Sequence, residues 1–286
     1  METVRNLAEL VAPLTVAEFL ALLRRRELLF WRNPGGNRFA GLLDWTTLRK
    51  LLSKPDFPLD SLRVQRESVV VQRIFYSDNK RIDLGRLDTQ MRGNTSLVVV
   101  PVETHIPALA ALCDDIRSHI PEKIQVGVIV TVGAGGAFQQ HYDDEDLIIL
   151  QLEGSKRWQI HHATAANPTK GMPKAPPPEG APIFDEVLQP GDFLFLPAGS
   201  WHHCENGPER SLHLGIFFEP LVAWRPIYDM VLGMLSEELF RQPVTRLADP
   251  SELDTVEAHV KRRLLEKIDA LSFGDAIIAG VRKPKA

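Results

Sequence analysis

His141-Tyr142-Asp143-Asp144-Glu145-Asp146-Leu147-Ile148-Ile149-Leu150-Gln151-Leu152-Glu153-Gly154-Ser155-Lys156-Arg157-Trp158 and, further on, Pro190-Gly191-Asp192-Phe193-Leu194-Phe195-Leu196-Pro197-Ala198-Gly199-Ser200-Trp201-His202 decide how this chain is read. On an extended strand, residues two apart project to the same face, so the His141 imidazole and the Asp143 carboxylate can reach one ion. His202 is the best candidate for a third ligand. Two histidines and one carboxylate leave metal positions open on one side, which suits an iron(II) centre that must hold a co-substrate and dioxygen together. Structural zinc would close its shell with four protein ligands, often cysteines, and the chain has only Cys113 and Cys204. A His-x-Asp by itself is weak, since a core histidine beside a surface acid gives the same pattern. Its setting strengthens it: the loop of Gly133, Gly135 and Gly136 precedes it, and Pro-Gly-Asp, a strand and Pro-x-Gly-x-Trp precede His202.

Working outward, the middle of the chain is rich in strands. Residues 125–132 read as a buried strand, and 147–152 and 156–160 flank Glu153-Gly154-Ser155, which the spacing predicts to be a tight hairpin. Residues 163–182 carry Pro168, Pro173, Pro176, Pro177, Pro178 and Pro182 among few strand formers and read as a long loop, of the kind that binds or covers a site. Strands at 183–188, 193–196 and 211–218 follow, the first two joined by Gln189-Pro190-Gly191-Asp192. Short strands joined by Gly/Pro turns indicate a barrel or jelly roll.

Towards the N-terminus, Thr15-Val16-Ala17-Glu18 is a capping box that opens a helix with Leu20, Leu22 and Leu23 on its apolar side and Arg24, Arg25 and Arg26 at its end. A second helix is expected over 45–52, and a third over 106–120 with Ile106, Leu109, Leu112, Cys113 and Ile116 on one face. The β-branched runs Val69-Val70-Val71 and Leu97-Val98-Val99-Val100 have strand character. Beyond Pro220 the pattern is helical: Ile227, Met230, Val231, Met234, Leu235 and Leu239 make one stripe, and Leu253, Val256, Val260, Leu264 and Ile268 another, with Ser251-Glu252-Leu253-Asp254 as its cap. The fold class expected is mainly β with flanking helices, organised as 1–220, a barrel domain with N-terminal helical elements, and 221–286, a helical segment able to pack on the barrel or pair with a second subunit.

Composition narrows the functions. Hydrophobic residues at 44% and charged residues at 24% describe a folded globular protein rather than a disordered one. A net charge of -4 offers no basic field for nucleic acid. Arg282-Lys283-Pro284-Lys285 reads as a solvated tail. Two cysteines suggest neither a disulfide framework nor a thiolate cluster. Met1-Glu2-Thr3-Val4-Arg5 lacks the apolar run of a secretory signal, and no apolar stretch nears the ~20 residues that span a bilayer. The expected compartment is the cytoplasm.

His141-Tyr142-Asp143-Asp144, the run from Leu150 to Trp158, the run from Pro190 to Pro197 and Ser211-Leu212-His213-Leu214 together resemble the JmjC-type, cupin-like 2-oxoglutarate oxygenases, and within them the ribosomal-protein hydroxylases. The resemblance covers about 124–218. It implies a double-stranded β-helix, Fe(II) held by His141, Asp143 and His202, and Lys156 paired with the distal carboxylate of 2-oxoglutarate, with dioxygen as the other co-substrate. A buried ammonium does need an anion, although outside the motif Lys156-Arg157 would read as a surface pair. Two departures from the family stand out: this chain has Gly127 where the family often has Asn, and Phe217 near the position where it often has a small hydroxyl residue.

His203 should point away from His202, His213 reads as a hydrogen-bonded interior histidine, and His161 and His162 open the loop. Asp144, Glu145 and Asp146 read as a solvated face, and Tyr142 and Trp201 as packing around the site. The resemblance implies hydroxylation of a protein side chain or of a small metabolite. The segment after Pro220 is short for the winged-helix arrangement of the ribosomal hydroxylases, so both substrates stay open. A metal cupin enzyme without 2-oxoglutarate and a non-catalytic barrel are the alternatives; the first would bind metal with no co-substrate effect, the second no metal.

Overall fold

Local capping and apolar spacing build the helices that precede the barrel. In the computed structural model, which describes residues 4–33, 36–78, 80–136, 138–247 and 249–282, the Thr15–Glu18 capping box forms as expected and starts α2. The helices of the first unit are α1 (Leu7–Val11), α2 (Val16–Arg25), α3 (Trp45–Leu52), α4 (Leu84–Gln90) and α5 (Pro107–His119). Its strands are β1 (Leu29–Trp31), β2 (Leu62–Arg66), β3 (Val69–Val70), β4 (Ser77–Asp78), β5 (Arg81–Ile82), β6 (Thr95–Val99), β7 (Lys123–Val132), β8 (Asp146–Glu153), β9 (Lys156–His161), β10 (Phe184–Leu188), β11 (Phe193–Leu196), β12 (Trp201–Asn206) and β13 (Ser211–Glu219). The chain divides into two compact units, Met1–Glu219 and Pro220–Ala286.

An eight-stranded antiparallel sheet runs in the order β1-β11-β8-β13-β7-β6-β2-β3, and a three-stranded sheet in the order β10-β9-β12. Alternation assigns the faces. Val126, Val128 and Val130 of β7 join the core with Leu109, Leu112 and Ile116 of α5, all fully buried. Gly127, Ile129 and Thr131 lie on the opposite face, which looks toward the small sheet. There Leu147, Ile149, Trp158, Ile160, Leu188, Leu194 and Leu196 fill the space between sheets. This is the expected jelly roll.

Two local expectations need correction, and one strand goes unannounced in the sequence. Glu153-Gly154-Ser155 is not a paired hairpin, because β8 pairs with β11 and β13 while β9 pairs with β10 and β12. It is a corner that hands the chain from one sheet to the other, with Gly154 at φ 60 against the Arg210 carbonyl. Trp201–Asn206 is a strand that hydropathy does not announce, since His202, His203, Cys204, Glu205 and Asn206 are polar or small. Conversely, the valine run at 69–71 yields only a two-residue edge strand, exposed on both faces, behind a tight turn with Glu67 and Ser68 at positive φ.

The second unit contains α6 (Trp224–Met234), α7 (Pro250–Asp269) and α8 (Phe273–Arg282). Leu239 falls beyond α6 in a 3-10 turn. Asp249, not Ser251, caps α7, because Pro250 takes the first helical position and the Asp249 carboxylate accepts from the Ser251 amide at 2.7 Å. Among the described residues no helix is long and apolar enough to cross a membrane. Met1–Thr3 and Lys283–Lys285, on which the leader and tail expectations partly fall, lie outside the described residues.

Candidate metal centre

After β7 the chain climbs alongside β12. Gly135 and Asn206 exchange backbone hydrogen bonds at 3.0 and 2.9 Å, and His141 and His202 do the same at 3.1 and 2.7 Å. Residues far apart in sequence thereby become cross-strand partners, with imidazole centroids 4.3 Å apart. Asp143, two residues on, places its carboxylate 3.9 Å from His141 Nε2 and 3.8 Å from His202 Nε2. One ligand atom from each residue lies within 4.8 Å of the others. An ion with bonds of about 2.0–2.2 Å can bridge such a set.

The ring orientation is fixed from behind. His141 Nδ1 lies 2.8 Å from the Gln139 carbonyl and His202 Nδ1 3.1 Å from the Ser200 carbonyl. Each contact favours a proton on Nδ1 and leaves the Nε2 lone pair free for a metal. Burial pulls the His202 pKa down to about 4 against the attraction of Asp143, so the ring is neutral near pH 7. The Gly199 amide donates to the Asp143 carbonyl at 2.8 Å and the Ala198 amide to the Asp146 carboxylate at 2.7 Å. Arg26, just past α2, donates to the Ala198 carbonyl at 2.5 Å and to the Asn167 side chain.

Tyr142 and Trp201 project to the face opposite the ligands and meet edge to face at 5.0 Å. Trp201 Nε1 donates to the Thr164 hydroxyl at 2.7 Å, and the Ala175 amide to the Tyr142 hydroxyl oxygen at 3.1 Å. The Pro-rich loop is thus fastened to the back of the ligand-bearing segments. The acidic run is not a solvated face: Glu145 and Asp146 are half-buried, and burial raises the pKa of both carboxyls.

Lys156 opens β9 only 4% exposed. Its ammonium donates to the Thr131 hydroxyl at 2.8 Å, which lies 2.7 Å from the Ser96 hydroxyl. Among the described residues no carboxylate forms an ion pair with it, and burial lowers its pKa to about 8. Cys204 is no counter-ion, since burial raises its thiol to about 12. Among the described residues the indole Nε1 of Trp158 and Nδ1 of His213 are also buried without a hydrogen-bond partner; His213 is interior as expected, but its Nδ1 makes no hydrogen bond to them. Trp158 stands 5.8 Å from the His202 ring and 5.6 Å from the His213 ring. An interior with an unpaired cation and idle nitrogen atoms fits an anion, and the His–Asp–His donor set fits a divalent metal.

His203 points outward, 3.9 Å from Glu205. His161 ends β9 half-buried and His162 is exposed. Thr131, Ser96 and Trp158 were not singled out from sequence. Only the cross-strand register, which pairs Ser96 with Thr131, could have found the first two.

The family described as "JmjC domain" matches residues 102–223. Over that stretch the barrel is similar to the JmjC domain, and its fold is that of the cupin-like barrels. More particularly, the chain resembles ribosomal oxygenases. It is 24% identical over 241 residues to the bifunctional lysine-specific demethylase and histidyl-hydroxylase NO66 of Drosophila persimilis, covering 83% of this chain and 35% of that protein. It is 36% identical over 111 residues to ribosomal oxygenase 2 of Rattus norvegicus, covering 38% and 24%. The crystal structure of the Escherichia coli ribosomal oxygenase YcfD shares the fold with a TM-score of 0.60 at 22% identity, over 89% of this chain and 67% of that one. A YcfD structure in complex with cobalt and 2-oxoglutarate aligns with a TM-score of 0.56 at 19% identity, over 87% and 66%. The chain spans about a fifth to a third of the length of the first curated relatives it matches.

Proposed function

We propose that this protein is an Fe(II)- and 2-oxoglutarate-dependent oxygenase that hydroxylates a protein side chain. The observation that carries the reading is the convergence of His141, Asp143 and His202 above a buried, uncompensated Lys156. His141, Asp143 and His202 would hold the iron, and Lys156 the distal carboxylate of the co-substrate. When bound, the iron and 2-oxoglutarate supply the oxidation that carries an oxygen atom from dioxygen into a C–H bond. The chain's own residues do the rest. The Gln139 and Ser200 carbonyls aim the imidazoles, Asp143 balances charge, and Leu147, Ile149, Trp158 and Ile160 keep water from the chamber.

The names of the curated relatives, which specify histidyl hydroxylation and lysine demethylation, favour a protein over a metabolite substrate. Protein incubated with Fe(II), ascorbate and 2-oxoglutarate should release succinate, and His141→Ala should abolish it. Succinate output unchanged in that variant would sink the reading. The helical unit adds a second element to the proposal. Trp224, Leu235, Phe273 and Ile278 are 49–57% exposed there, and pairing with a second copy of the chain would cover them.

A further inference from the structure

Gly127 and Gly215 face each other directly across β7 and β13. Neither has the positive φ that demands glycine, and glycine weakens a strand, so the reason for the pair is space. A Cβ on Gly127 would lie 3.0 Å from Phe217 Cε2, and one on Gly215 3.2 Å from the same ring and 3.1 Å from Leu147 Cδ1. The ring of Phe217 therefore lies over both glycines, packed with the cluster between the two sheets.

Register fixes its height in the barrel. On the large sheet, Thr131 pairs with Ser211, Gly127 with Gly215 and Gln125 with Phe217. On the small sheet, Lys156 pairs with Asn206, Trp158 with Cys204 and Ile160 with His202. The contact of Lys156 with Thr131 aligns the lower levels, and Asp143, three residues before β8, aligns the upper ones with His202. The ring thus covers the middle level of the wall, between the metal ligands and the ammonium and across from Trp158.

We propose that Phe217, seated on Gly127 and Gly215, is a specificity-determining residue that limits the 2-oxo diacid held between the metal and Lys156 to five carbons. The inference rests on the co-substrate assignment above. With both ends pinned, one on the metal and one on the ammonium, an added methylene must bow sideways, and the aromatic ring blocks that bow. Backbone lies beneath the ring, so it has nowhere to retreat.

Manganese(II)-loaded protein titrated with 2-oxoglutarate and with 2-oxoadipate, followed by calorimetry, tests this without turnover. One methylene against a fitted wall is worth about 10–200-fold. Wild type should show a preference in that range, and Phe217→Ala should shrink it at least tenfold by tightening 2-oxoadipate. Gly127→Ala, which pushes the ring into the chamber, should weaken 2-oxoglutarate about tenfold with manganese affinity unchanged. A preference that persists in folded Phe217→Ala overturns the proposal while leaving the co-substrate assignment standing. Should Phe217→Ala not fold, unaltered 2-oxoglutarate affinity in Gly127→Ala overturns it instead. Manganese binding with no affinity for either acid in wild type would overturn both.

Discussion

A buried lysine whose ammonium donates to a hydroxyl makes ligand binding depend on its proton. Lys156 is shifted by burial from 10.5 to about 8, and a carboxylate ligand favours the ammonium, so above pH 8 binding must take up a proton. The dissociation constant for 2-oxoglutarate should be level below about pH 7.5 and rise roughly tenfold per pH unit above 8. Calorimetry in buffers of different ionisation enthalpy at pH 9 should record uptake of about one proton; a flat affinity from pH 7 to 9.5 would refute the role. Stability of the ligand-free protein moves the other way. With the folded pKa below the unfolded one, this residue's contribution improves as pH climbs from 8 to 10.5. At this scale the sequence was informative wherever one residue type at fixed spacing carries the chemistry, as with His141, Asp143 and His202. It was silent on Thr131 and Ser96, and it placed His213 in the interior without foreseeing its bare Nδ1, because these surroundings come from distant strands.

The corner at Gly154 and the junction at Glu122 each rest on one residue. A Cβ at 154 would sit 2.1 Å from the Arg210 carbonyl oxygen, at φ 60. Gly154→Ala should therefore cost about 2–4 kcal/mol in urea unfolding, and a loss under ~0.5 kcal/mol would show that the corner yields. Glu122, between α5 and β7, has a buried Oε2 with no hydrogen-bond partner among the described residues, and burial together with Asp146 raises its pKa to about 7. A carboxyl with a raised folded pKa stabilises below its unfolded value of 4.5 and loses that contribution as pH rises toward 7. Glu122→Gln should accordingly add ~1–2 kcal/mol at pH 8, allowing for partial exposure, and almost nothing at pH 4; equal gains at both pH values would exclude titration as the cause. Helices were legible because capping and 3.6-residue periodicity are local, as at Thr15–Glu18 and 45–52. The corner was misread as a hairpin because a Gly turn between two apolar runs looks the same whether the strands pair with each other or with strangers.

For the whole molecule, the pairing proposal predicts a dimer by sedimentation that Trp224→Glu with Leu235→Glu dissociates without loss of metal binding; an unaltered sedimentation coefficient would discount those helices as the contact. The barrel was legible from its short strands and turns, but the part played by the first hundred residues was not. Arg26 grips the turn that leads into His202, β1 supplies the edge neighbour of β11, and α1, α2 and α3 contribute Leu10, Phe19 and Leu48 to the main core. The stretch matched by the JmjC family, 102–223, is therefore not a self-sufficient folding unit. Excised, it would strip β11 of a hydrogen-bonded neighbour and lay bare the apolar back of the large sheet. Domain shuffling that moved this metal-ligand cluster to a new context would have had to carry its N-terminal brace along.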